Sequence, residues 1–116
     1  MRPYLPQALH LSQKSFSSLD LHPDLIGNLD SLGFKEMTPI QEMSLPEILD
    51  DKDVIGQAKT GSGKTAAFGL GLLNKLKVKE FRGQTLILCP TRELANQVAT
   101  EIRRLARSIH NIKVLT

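Results

Sequence analysis

Residues 58–65, AKTGSGKT, constrain this chain more than any other stretch. They lie between a short apolar run, DVIGQA (53–58), and an alanine- and leucine-rich segment beginning at Lys64. An apolar run leading into glycines and then into helical spacing reads as buried strand, loop and helix. Gly61 and Gly63 admit backbone angles that other residues resist, so successive N–H groups can turn inward around an anion at the helix N-terminus. Lys64 supplies a charge for the β- and γ-phosphates of a nucleoside triphosphate, and Thr65 a hydroxyl for a Mg²⁺ ion bound to the same phosphates. The full phosphate-loop pattern asks for glycine at 58, where this chain has Ala58, also a small residue. A glycine turn that merely caps a helix is the plainer alternative. The agreement of strand, loop, Lys-Thr pair and helix argues against it. The candidate nucleotide-binding residues here are Ala58, Lys59, Thr60, Gly61, Ser62, Gly63, Lys64 and Thr65.

The rest of the chain supplies the alternation that such a loop requires. Residues 1–15 carry two prolines and no sustained period, and read as a mobile extension with order beginning near Phe16. Leu25, Ile26, Leu29 and Leu32 follow helical spacing, with Pro23 suited to the first turn and Gly33 to the stop. Thr38 is a candidate N-cap for a second helix, with Pro39 at the first position and Gln41 at the third. That helix runs toward Asp50 or Asp51, and Pro46 should bend or divide it. After the loop, Lys64 to Leu76 forms a largely buried helix, and 75–83 an exposed link. TLILC (85–89) reads as a strand covered on both faces and ended by Pro90. Leu94, Val98, Ile102, Leu105 and Ile109 mark an amphipathic helix, and IKVLT (112–116) a third strand. The expected fold is α/β: an incomplete doubly wound parallel sheet preceded by two short helices.

Charge is divided along the chain. Residues 1–74 hold six Lys/Arg against nine Asp/Glu, net −3, whereas 75–116 hold nine against three, net +6. Any polyanion contact is therefore expected in the C-terminal third, with a solvated basic helix face as the plainer alternative. No apolar run reaches the roughly 18 residues that span a bilayer, and the start lacks a signal-peptide core, so a cytoplasmic, non-membrane protein is expected. It is also expected to be a monomer. The single cysteine, Cys89, lies in TLILC and reads as a small hydrophobe.

The segment GFKEMTPIQ (33–41) resembles the Q motif of the DEAD-box helicase family, and Phe16 stands seventeen residues before it. The resemblance implies that Phe16 stacks on the adenine of ATP and that Gln41 hydrogen-bonds the edge of the base, a task suited to an amide that both donates and accepts. Gln41 is equally placed to complete a capping box with Thr38, and the two roles are partly compatible. PTRELA (90–95) is similar to the family's motif Ia, which implies RNA-backbone contact through Pro90, Thr91, Arg92 and Glu93. Thr91 also reads as a simple N-cap. Arg103, Arg104 and Arg107 are weaker candidates, closer to a solvated helix face. AKTGSGKTAAFGLGLL and LCPTRELANQVATEIRRLAR look most like the bacterial DbpA-type subgroup associated with ribosomal RNA.

The resemblance covers residues 16–116 and divides the chain into an extension (1–15), a Q-motif helical segment (16–52) and the first part of a RecA-like ATP-binding domain (53–116). It implies an ATP-dependent RNA helicase with ATP and Mg²⁺ as cofactors. The acidic DEAD sequence does not occur in these 116 residues, so no catalytic residue is assigned and the chain by itself is expected to bind ATP without hydrolysing it. Two rival readings are another phosphate-loop NTPase, such as a DNA translocase or kinase, and a nonenzymatic nucleotide- or RNA-binding piece.

Overall fold

The computed structural model describes residues 14–116, and the expected extension at 1–15 falls almost wholly outside them. Lys14, just before the expected start near Phe16, is already tied into the fold: its carbonyl accepts from Met37 N–H at 2.8 Å, and Ser15 forms an isolated antiparallel bridge with Glu36. A single 3₁₀ turn, Phe16–Ser18, follows. Four helices come next: α1 (Pro23–Ser31), α2 (Pro39–Leu49), α3 (Lys64–Lys75) and α4 (Arg92–Leu105).

The helix ends follow from local chemistry. His22 caps α1 by accepting Asp24 N–H at Nδ1 (3.2 Å), and Pro23 occupies the first turn. Pro39 does the same for α2, and Thr91 caps α4 by accepting Leu94 N–H at 3.1 Å. Pro46 does not divide α2, which continues through it to Leu49. Just beyond α2, the Lys52 ammonium donates to the Glu47 carboxylate and then to that of Asp50, which holds it above its ordinary pKa of 10.5. The apolar period of α4 runs on to Ile109, but the helix stops at Leu105. The buried Asn28 amide of α1 explains the stop, donating to the Arg104 and Leu105 carbonyls at 3.0 and 2.8 Å and so satisfying the free end of α4. Ile109 still packs against the core, now from a turn.

Packing centres on α3, which contacts α2 on one side and α4 on the other. Gly71 permits the first approach, since a Cβ there would come within 2.3 Å of Ile48 Cγ2. The core gathers Phe16, Leu25, Leu29, Met37, Leu45, Leu70, Ile102 and Leu105, all nearly inaccessible. Each such large apolar side chain contributes about 1.5–3 kcal/mol of burial free energy.

The expected strands are not formed among the described residues. Segments 53–58, 85–89 and 112–116 make no ladder; Ile55, Leu86 and Leu88 are 82–95% exposed where covered positions were expected, and Leu115 is 87% exposed. A strand is not a local element: its backbone groups are satisfied only by a neighbouring strand, and parallel neighbours are distant in sequence. The link before the second segment is firmer than expected. Gln84 closes it by bonding both the N–H and the carbonyl of Lys77, each at 2.9 Å.

Candidate nucleotide-binding site

The loop at 58–65 runs directly into α3. Gly61 and Gly63 both adopt left-handed backbone, with φ of +81° and +89°. Gly63 is the N-cap of α3, and its carbonyl accepts Ala67 N–H at 3.1 Å. The first N–H groups of α3 lack acceptors from a preceding helical turn, which makes that end attractive to anions. Lys64 Nζ reaches back across the loop to the Ala58 carbonyl at 2.5 Å. The lysine thus spans the loop it is expected to serve. Thr65 sits half-buried in the first turn of α3.

Gln41 joins this loop to the segment before it. Only 2% exposed, its Oε1 accepts Thr38 N–H at 2.9 Å and its Nε2 donates to the Gly63 carbonyl at 3.0 Å. The capping and loop contacts are therefore made by opposite ends of one amide. One N–H and one lone pair remain for a further partner. The fit around Gly63 is close: a Cβ there would fall 2.3 Å from Gln41 Nε2 and 3.1 Å from Thr38 Oγ1. Thr38 Oγ1 faces the Gln41 backbone as a capping box requires but is buried without a hydrogen bond, and Ser62 Oγ is buried in the same condition. Two unpartnered hydroxyls beside a glycine loop and a helix N-terminus fit a site built to receive a polar ligand. No cluster of three or more His, Cys, Asp or Glu side chains suited to a metal occurs among the described residues.

Phe16 lies in the core, 2% exposed, meeting Phe34 edge to face with ring centroids 6.3 Å apart. Phe34 in turn carries the Arg104 guanidinium 5.3 Å from its centroid. Sequence reasoning gave Phe34 and Arg104 no part in this group. A second aromatic beside Gly33 was the available signal for Phe34, whereas Arg104 reaches it from α4 and left none.

Pro90, Thr91, Arg92 and Glu93 are exposed together at the start of α4. Of the weaker basic candidates, Arg103 bonds the Val114 carbonyl at 2.7 Å and Arg104 pairs with Glu101 at 3.4 Å. Both are tied into the chain, and Arg107 is exposed. A groove of about 670 Å³ beside Met37 and Asn74 and a smaller one beside Ile48 and Leu86 include no residue of the loop.

Comparison with known proteins gives these features a common setting. The family model described as DEAD/DEAH box helicase matches residues 38–116. The chain belongs to that family. It is 59% identical over 103 residues to the ATP-dependent RNA helicase DbpA of Escherichia coli K12, spanning 88% of this chain and 22% of that protein. It is 50% identical over 93 residues to the DEAD-box ATP-dependent RNA helicase CshA of Streptococcus pneumoniae, spanning 80% and 18%. Among solved structures, a DEAD box protein of Methanococcus jannaschii aligns with a TM-score of 0.75 and 38% identity over 81% of this chain and 26% of that one. Saccharomyces cerevisiae Dbp5 bound to RNA and ADP BeF3 aligns with a TM-score of 0.73 and 32% identity over 82% and 25%. This DEAD/DEAH box chain thus spans about a fifth to a quarter of the relatives it matches. No helix among its described residues is long and apolar enough to cross a membrane.

Proposed function

We propose that this chain carries the adenine-nucleotide site and part of the RNA-backbone site of an ATP-dependent RNA helicase. The observation that carries the reading is the Gln41 side chain, which ties the Q-motif segment to the phosphate loop through Thr38 N–H and the Gly63 carbonyl. A base held at the remaining valences of Gln41 would be fixed relative to phosphates held at Gly61–Thr65. Lys64 would leave the Ala58 carbonyl for the β- and γ-phosphates, and Ser62 and Thr38 have hydroxyls to offer. Bound Mg²⁺ would neutralise phosphate charge, with Thr65 as this chain's ligand. Phe16 would stack on adenine once its ring turns from the core face it shares with Phe34.

The segments 53–58, 85–89 and 112–116 belong, on this reading, to a RecA-like parallel sheet that forms when neighbouring strands cover Ile55, Leu86, Leu88 and Leu115. Similarity to solved DEAD-box structures supports it. Thr91, Arg92 and the amides at the start of α4 would hold RNA phosphates without reading sequence. Similarity to the ATP-dependent RNA helicase DbpA and to the RNA-bound Dbp5 structure supports RNA as the partner. A cytoplasmic monomer acting on RNA, ribosomal RNA included, is the corresponding whole-protein reading.

Calorimetric titration of Mg·ATP into the 116-residue chain, alongside a phosphate-release assay, tests the proposal. Saturable binding lost in Lys64→Ala, with no turnover, is expected. Turnover abolished by Lys64→Ala, or binding indifferent to that change, would contradict it.

A further inference from the structure

The turn between α3 and 85–89 is built more firmly than an exposed link requires. Gln84 Nε2 donates to the carbonyls of both Lys77 and Glu80, at 2.9 and 3.2 Å, while its Oε1 accepts Lys77 N–H at 2.9 Å. The backbone adds Glu80 N–H to the Lys77 carbonyl at 2.9 Å and Arg82 N–H to the Glu80 carbonyl at 3.0 Å. Arg82 also grips the Glu80 carboxylate through Nε and Nη2, at 3.2 and 3.0 Å. The turn's acid is therefore neutralised within it. Lys77 and Lys79 are exposed and form no ion pair among the described residues. Between Glu80 and Arg82 stands Phe81, 88% exposed on this clamped backbone.

Position separates this feature from the nucleotide site. Helix α3 has twelve residues and is about 18 Å long, so the turn lies at its far end from Lys64. A rigidly presented aromatic ring beside unpaired lysines matches what single-stranded nucleic acids bind: a π-face for the base and positive charge for the phosphates. We propose that the turn at 77–83 is a second RNA contact, with Phe81 stacking on one base and Lys77 and Lys79 holding neighbouring phosphates. This rests on the reading that RNA is the protein's partner. An acidic peptide would satisfy the lysines, but its carboxylate side chains give Phe81 no aromatic face to stack on. The ring therefore favours RNA over an acidic protein surface, and because every base has a π-face the contact is sequence-tolerant.

Fluorescence anisotropy with a labelled oligouridylate and the 116-residue chain tests this, with helical circular dichroism as the control for folding. Phe81→Ala should weaken binding at least about fivefold, the low end for loss of one base stack, and Phe81→Tyr should restore it. Lys77→Ala combined with Lys79→Ala should reduce the slope of log affinity against log salt by about 1.4. Unchanged affinity in Phe81→Ala, with Arg92→Ala still weakening binding, overturns the second contact and leaves the RNA reading standing. Failure of the folded wild-type chain to bind removes both. Polyglutamate that displaces the RNA from wild type and Phe81→Ala alike assigns the lysines to acidic protein and overturns the stacking platform.

Discussion

Gly61 and Gly63 share nearly the same φ, +81° and +89°, yet their surroundings differ. Nothing lies within 4 Å of a Cβ added at Gly61, whereas at Gly63 it would overlap the Gln41 amide. Gly61→Ala should therefore cost only the left-handed backbone penalty of about 1–2 kcal/mol. Gly63→Ala should cost visibly more in urea unfolding, because the Gln41 bond to the Gly63 carbonyl must also be displaced. Equal costs would show that the close approach of Gln41 is not real. Gln41→Glu separates that residue's two contacts, since a carboxylate can still accept from Thr38 N–H but cannot donate to the Gly63 carbonyl. We expect α2 to persist and nucleotide affinity to fall. At this scale the sequence placed the glycines, Lys64, Thr38 and Gln41 in one neighbourhood by motif. It could not reveal that Ser62 and Thr38 hydroxyls lie buried and unpartnered, because that depends on how two segments close on each other.

Each helix was legible to the extent that its determinants were local. Pro23, Thr38, Pro39 and Thr91 announce starts that the structure places at those points. The end of α4 is different, because the group that satisfies it comes from Asn28, some 76 residues earlier. No window of sequence contains both. Asn28→Ala should cost about 1–3 kcal/mol by leaving buried carbonyls without donors. Asn28→Asp should cost more, since it sets a negative charge against the negative end of the α4 dipole. Thermal melts of the three proteins check the order, and Asn28→Asp matching wild type would rule out the capping role. Pro46 illustrates the opposite limit. Its missing N–H led to the expectation of a bent or divided helix, but Leu45 is fully buried next to it and α2 packs along α3, and the helix runs on to Leu49.

For the whole molecule, the apolar pattern of 53–58, 85–89 and 112–116 was legible and their pairing was not. Strand pairing joins residues far apart in sequence, and among the described residues these segments stay unpaired, with Ile55, Leu86, Leu88 and Leu115 exposed. Leu86→Lys with Leu88→Lys should change the stability of this chain in urea unfolding by no more than about 0.5 kcal/mol per site. A cooperative loss of stability would mean that these side chains are already packed. The helical body, by contrast, fixes the glycine loop at the start of α3, which packs against α2 and α4, so the loop's geometry is in place without strand pairing. Base discrimination tests most directly whether this body reads adenine: ADP and GDP titrated into wild type and Gln41→Ala. Wild type should prefer ADP, and Gln41→Ala should lose most of that preference. Equal affinity of wild type for ADP and GDP, or a preference untouched by Gln41→Ala, would contradict adenine recognition.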